Sequence, residues 1–333
     1  MNRRGFISSC IAGSLAMGTR AFADTQLRPC SYQLSWIKNF QGAGEYIAKA
    51  KGFFREQGLD VTLLAGGPTM PHEPVVMSGK ALVAQTMPDN TVMANMHGAT
   101  LKVIGAGYQK SPFCIASLLS GHPMRTPQDM IGRRIGVQSV NLVVWRTFLR
   151  LNHIEPASIT VVPVQFDMAP LIAGDVDGFF GYLNDNVVHL EVAGHQTAVV
   201  PFARFGYTVM GATLVGRADS LQDPARRAML VSFMRADIQG WQAAIADPAL
   251  GADLTVNTFG KGNGLDLKAE EQSCRASNDL MMNADTHSKG LFWMSDASIA
   301  DTVRILRLGG LAASPDMFTN EILVEARQDA ATR

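Results

Sequence analysis

The chain has 333 residues, 47% of them hydrophobic and 17% charged, with 29 basic and 29 acidic side chains. That apolar content fills one large core or two medium ones and excludes a disordered chain. The balanced charge excludes a global basic field for nucleic acid, and four cysteines are too few for a disulfide scaffold.

The first segment reads as an address. Arg3 and Arg4 precede Gly5-Phe6-Ile7, a short apolar stretch reaches Met17, and Ala21-Phe22-Ala23 is a small-x-small cleavage site. The apolar run is shorter than the ~18 residues of a membrane span. A twin-arginine-like export signal over 1–23, cut after Ala23, is expected. Cutting there removes Arg3, Arg4 and Arg20, leaving 26 basic and 29 acidic residues, net −3. It also leaves Cys30, Cys114 and Cys274, an odd number with no close pair, so no structural disulfide is expected. No later segment is long and apolar enough to span a bilayer.

Residues 32–36 alternate as a strand should. A helix is predicted from Glu45 to Gln57, because Tyr46, Ile47, Ala50, Phe53 and Phe54 share one face. Gly58 ends it, and Leu59–Leu64 reads as a second strand, parallel to the first. Two later stretches then match at an offset of 95 residues: Gly79–Gly98 and Gly174–Gly194. Each reads as a Gly turn, a short buried strand, a polar cluster, a helix and a closing Gly. Asp89/Asn90 and Asn184/Asp185 stand where helix N-caps are expected. The match implies two α/β lobes of like build, one of 27–110 plus 209–325 and one of 111–208. The chain crosses between them at Tyr108–Phe113 and Tyr207–Val215. The returning part is helical: Pro224–Ala246, Ala269–Ala284 and Ser295–Leu308 are predicted helices. Two crossovers make a hinge, and the cleft between lobes is the default ligand site.

Recognisable catalytic motifs are missing. There is no His-Glu-x-x-His, Cys-x-x-Cys, Gly-x-Ser-x-Gly or Walker loop, and the seven histidines are scattered. No metal site, cofactor or catalytic residue is assigned. The strand ends instead carry polar and aromatic groups, and ligands of open α/β sheets bind there. The candidate binding residues are Trp36, Asn39 and Gln41 after the first strand, Asp89 in the first repeat, and Gln109 before the crossover. Gln138 and Asn141 follow the strand Arg134–Val137 and lead to Trp145; Tyr182 and Asn184 belong to the second repeat. Indole and phenol faces stack on rings, and amides match the donors and acceptors of a heterocycle. Lys38 and Lys110 are the only cations near these groups, so a largely uncharged nitrogen heterocycle is expected rather than an anion.

On six stretches the sequence resembles the periplasmic substrate-binding proteins of ATP-binding-cassette importers. They are Leu34–Ala48, Lys51–Val61, Tyr108–Pro112, Thr126–Val137, Pro170–Asp177 and Gly181–Asn184. The closest branch holds thiamine-pyrimidine-precursor and riboflavin binders, with sulfonate and nitrate binders further off. The resemblance implies an α/β type II periplasmic-binding fold with a ligand cleft between two hinged lobes, Trp36 being its cleft tryptophan and Asn39 the polar partner. It departs from the pyrimidine binders at Gly42, where they commonly carry a His, and at Leu142, where related members often carry an acid. It further implies a non-enzymatic, periplasmic, monomeric protein delivering its guest to a membrane permease and its ATPase. Three alternatives stay open: a desulfinase-like or pyrimidine-forming enzyme on the same fold using Cys30 or Cys114, a sulfonate- or nitrate-type anion binder, and a sensory binding subunit.

Overall fold

The computed structural model describes residues 26–328; the expected export signal and its cleavage point lie outside them. Ten strands form two five-stranded sheets. They are β1 Arg28–Gln33, β2 Leu59–Leu64, β3 Val83–Thr86, β4 Leu101–Tyr108, β5 Phe113–Leu118, β6 Arg134–Val137, β7 Thr160–Pro163, β8 Gly178–Tyr182, β9 Thr197–Pro201 and β10 Gly211–Arg217.

The sheet orders are β2-β1-β3-β10-β4 and β7-β6-β8-β5-β9. They match position by position, and β3 and β8 begin 95 residues apart, the offset of the sequence repeat. In the first sheet β1 pairs in parallel with β2 and β3; in the second, β6 does so with β7 and β8. The fourth strand of each sheet is antiparallel to both neighbours. That strand is the one arriving from the other sheet, β10 after β9 and β5 after β4. This is the type II periplasmic-binding architecture, two α/β lobes joined by two crossovers.

Several local expectations are corrected. The first strand is Arg28–Gln33, so Trp36 lies in the turn beyond it. The helix expected over 45–57 is two helices, Ala43–Ala50 and Phe53–Glu56, because Gly52 adopts a left-handed backbone (φ +82°). The apolar spacing runs on through the break, so periodicity does not reveal it. Helix Pro88–Met96 is capped at Met87 and opens with proline, which places Asp89 inside the first turn. In the second repeat Asp185 is the N-cap residue of helix Asn186–Val192, though its side chain makes no capping bond. The helix expected over 269–284 is Leu267–Met281.

Helix Pro224–Ala246 forms over the expected span, with the Asp223 carboxylate accepting from the Arg226 N–H at its start. It packs closely on helix Ala43–Ala50. A Cβ on Gly240 would lie 2.2 Å from the Gly44 carbonyl oxygen, and one on Gly44 would lie 2.3 Å from the Trp241 ring. Both positions therefore accept only glycine without displacement of a helix. Among the described residues, no helix is long and apolar enough to cross a membrane.

Candidate functional site

A cavity with about 480 Å³ of empty space, part of it open to solvent, lies where the carboxyl ends of parallel strands from both sheets face each other. From the first sheet come Ser35, Trp36 and Gln41 beyond β1, His72 from the connection after β2, and Thr86, Met87 and Asn90 at the end of β3. From the second come Gln138, Val140 and Asn141 beyond β6, then Phe180, Gly181, Tyr182, Asp185 and Asn186 at the end of β8.

Local hydrogen bonds orient these side chains. Ser35 Oγ donates to Gln85 Oε1 at 2.5 Å. Gln138 Nε2 donates to the Phe180 carbonyl at 3.0 Å, and Asn141 Nδ2 donates to Gln138 Oε1 at 2.9 Å. The Tyr182 N–H donates to Asn186 Oδ1 at 3.0 Å. Glycine at 181 permits that last bond, since a Cβ there would sit 2.5 Å from Asn186 Oδ1. Tyr182 also packs edge-on against Phe113, with centroids 4.9 Å apart.

Other contacts join the two halves around the cavity. Asn39 Nδ2 donates to Asp185 Oδ2 at 3.4 Å, Asn90 Nδ2 to the Val140 carbonyl at 3.3 Å, and the Val140 N–H to the Pro68 carbonyl at 3.2 Å. His189 Nε2 lies 3.2 Å from Glu270 Oε1 and 3.6 Å from Asp185 Oδ1.

Five of the ten sequence-predicted binding residues line the cavity: Trp36, Gln41, Gln138, Asn141 and Tyr182. The other five lie elsewhere. Asn39 is buried, accepting from the Gln41 N–H and reaching Asp185. Asp89 is fully buried and accepts from the Tyr207 hydroxyl. Gln109 donates to the Ala106 carbonyl. Asn184 donates to Tyr108 and Ser277. Trp145 is a core residue, packed in the same apolar cluster as Phe148 and Phe202, because its helix, Leu142–Leu151, turns that face inward. The candidate list left out the other lining residues, among them His72, Ser35, Asn90 and Asp185. Extending the strand-end rule to the connection after β2 would have found His72.

The charges around the cavity are few. Among the described residues, no Lys or Arg lines it. Burial pushes the Asp185 carboxyl up to about 6, with His189 pulling it down and Glu270 pushing it up. Burial works against the charged form of His189, but its hydrogen bond to Glu270 and the neighbouring carboxylates outweigh that and raise its pKa. His72 is pushed down to about 4 by burial, against a smaller opposing effect of the Ser35 backbone. None of the three cysteines among the described residues, Cys30, Cys114 and Cys274, lines the cavity. Burial raises the Cys114 and Cys274 thiols, and raises Cys30 to about 11, so none is a thiolate at neutral pH.

The family model described as NMT1/THI5 like matches residues 39–250, a span holding every cavity-lining residue except Ser35 and Trp36. The chain belongs to this family. Among curated proteins, the riboflavin-binding protein RibY of Chloroflexus aurantiacus is 24% identical over 317 residues, covering 90% of this chain and 88% of its own. A formylaminopyrimidine-binding protein of Halalkalibacterium halodurans is 22% identical over 285 residues, covering 84% and 83%. The periplasmic nitrate-binding protein NrtA of Synechocystis superposes with a TM-score of 0.67 at 14% identity, covering 92% of this chain and 90% of its own. That last likeness establishes the shared fold.

Proposed function

We propose that this member of the NMT1/THI5-like family is the solute-binding component of an ATP-binding-cassette importer, that it is exported to the periplasm, and that it captures a small, uncharged nitrogen heterocycle. The lobes are residues 27–110 plus 209–325 and residues 111–208. The guest stacks beside Trp36 and Tyr182 and is hydrogen-bonded by Gln41, Gln138 and Asn141. Asn39 acts by holding Asp185 rather than by touching the guest. Contacts from both lobes exist together only when the cleft is shut, so the guest shifts the open–closed equilibrium toward the form that docks on the permease.

The observation that carries this reading is the lining itself: three aromatic residues, Trp36, Phe180 and Tyr182, and several amides, with no Lys or Arg among the described residues and one carboxylate. Two relatives are named for heterocycles. The anion reading has one feature in its favour, since helices Pro88–Met96 and Leu142–Leu151 begin at the cavity. Each helix start contributes roughly +0.5 charge, while Asp185 at the same cavity contributes a full negative charge when ionised. A nitrate or sulfonate would meet that carboxylate with no Lys or Arg to offset it. An enzyme reading lacks a thiolate at the cavity.

A thermal-shift panel tests the proposal with riboflavin, formylaminopyrimidine, an alkanesulfonate and nitrate. A guest at a hundred times its Kd stabilises the fold by about 2.7 kcal/mol. The expected result is a rise in Tm with a heterocycle and none with the anions. A rise with sulfonate or nitrate alone refutes it.

A further inference from the structure

One cavity residue is buried with its polar atoms poorly satisfied. His72 is 3% exposed, and neither of its ring nitrogens makes a well-formed hydrogen bond, the Ser35 backbone being the polar group that acts on the ring. A buried polar group left in that state costs roughly 1–3 kcal/mol, so it is expected to meet a partner when the site is filled. His72 lines the cavity together with Trp36, Tyr182 and Asn141. Its position is firmly set, because the next residue, Glu73, is buried and accepts from Thr86 Oγ1 at 2.6 Å. Gly66 brings this connection across the end of β1: its N–H donates to the Trp36 carbonyl, and a Cβ there would lie 2.3 Å from the Leu34 carbonyl oxygen.

We propose that His72 is a specificity-determining residue that hydrogen-bonds, as a neutral imidazole, to the lactam or imide edge of the guest ring, where a ring N–H adjoins a ring carbonyl. The inference rests on the heterocycle-binding reading above and narrows it to rings that carry this edge. A neutral imidazole has one N–H and one bare nitrogen, so it can answer either half of such an edge but cannot neutralise an anion. Burial holds His72 uncharged above about pH 4. The remaining field selects the same edge. Two helix starts favour electron-rich carbonyl oxygens, and the Asp185 carboxylate favours an N–H donor. A guest offering both groups satisfies all of them.

Riboflavin, whose ring carries an N–H between two carbonyls, is the probe, with its N3-methyl derivative as the control that removes the N–H. Titrations use the wild type and the variants His72→Phe and His72→Asn, each checked for an unchanged melting temperature. The wild type is expected to bind riboflavin at least tenfold more tightly than the N3-methyl derivative. His72→Phe should lose at least tenfold for riboflavin and most of the discrimination between the two, while His72→Asn stays within a few fold of wild type. From pH 5.5 to 8 wild-type affinity should rise as Asp185 ionises near 6 and should not fall, because His72 stays neutral throughout. The comparison of the two flavins uses the wild type alone, so it stands if a variant fails to fold. Equal affinity for both flavins, unchanged binding by His72→Phe, or an affinity that falls as pH rises through 6.5 overturns the role of His72. Binding of formylaminopyrimidine without riboflavin overturns this inference and leaves the heterocycle reading standing. Binding of neither overturns both.

Discussion

At the residue scale, Trp36 and Trp145 were alike in sequence, both aromatic residues shortly after a strand. Trp36 is half-buried at the cavity, and Trp145 lies in the core. The difference is rotational: Trp36 sits in a bend with no helix face to fill, whereas Trp145 falls on the inward stripe of helix Leu142–Leu151 with Val144 and Phe148. Trp36→Ala is therefore expected to weaken binding of the guest by ~1–3 kcal/mol, the range for aromatic stacking platforms, with little change in unliganded stability. Fluorescence titration with riboflavin reads the first effect and thermal melting the second. A large fall in melting temperature would place the indole among the structural residues. The polar residues divide the same way. Gln138 and Asn141 turn into the cavity, while Asp89 and Asn184 turn away from it. Amide chemistry alone does not distinguish the two groups.

At the element scale, Asp89 and Asn184 are equivalent in the repeat, 95 residues apart, and each grips a tyrosine at a crossover. Tyr108 ends β4 just before the chain enters the second sheet, and Asn184 of that second sheet donates to its hydroxyl. Tyr207 precedes β10 as the chain returns, and its hydroxyl donates to Asp89 of the first sheet. Each crossover is thus held by the half it is about to join. The two grips differ in consequence. Tyr207→Phe leaves a fully buried carboxylate without its hydroxyl donor, an expected loss of ~1–3 kcal/mol. Tyr108→Phe should cost less, because Asn184 keeps its 2.9 Å bond to Ser277. Urea denaturation of the two variants gives the comparison, and equal losses would contradict it. The repeat was legible in sequence because strand, turn and helix punctuation recur at fixed spacing. The tyrosine grips were not, because each joins residues separated by 76 or 118 positions.

At the scale of the whole molecule, the buried carboxyls set the direction of pH dependence. Burial pushes Glu45 up to about 7, Asp89 and Asp185 up to about 6, and Glu73 and Asp237 upward as well. In the unfolded chain these groups titrate near 4. Between roughly pH 4 and 7 the native state therefore binds more protons, so stability is greatest at the acid end of that window and is lost as pH rises through 6–7. For Asp89 the shift is worth up to about 3 kcal/mol. His72 opposes the trend, since the unfolded chain takes up a proton near 6.5 that the folded one refuses until about 4. Asp129 and Asp177, stabilised as carboxylates by hydrogen bonds, lose their contribution only below ~4, outside this window. With five raised acids and a raised His189 against the lowered His72, calorimetry should find a higher melting temperature at pH 5 than at pH 7.5. The reverse order would mean these acids are solvated, and Glu45→Gln should flatten the profile.

The sequence by itself determined the class of fold, the doubled α/β plan, the two crossover points and the long helix Pro224–Ala246. These follow from short-range signals: alternation, helical spacing, proline and aspartate at helix starts, glycine at turns. It also determined that the strand ends would carry aromatics and amides with almost no cations. Only the tertiary structure decided which of those groups share a cavity and added His72 to them. Membership of a cavity depends on which way a side chain rotates and on what faces it from the other half. Those are contacts across many tens of residues, which local pattern does not encode.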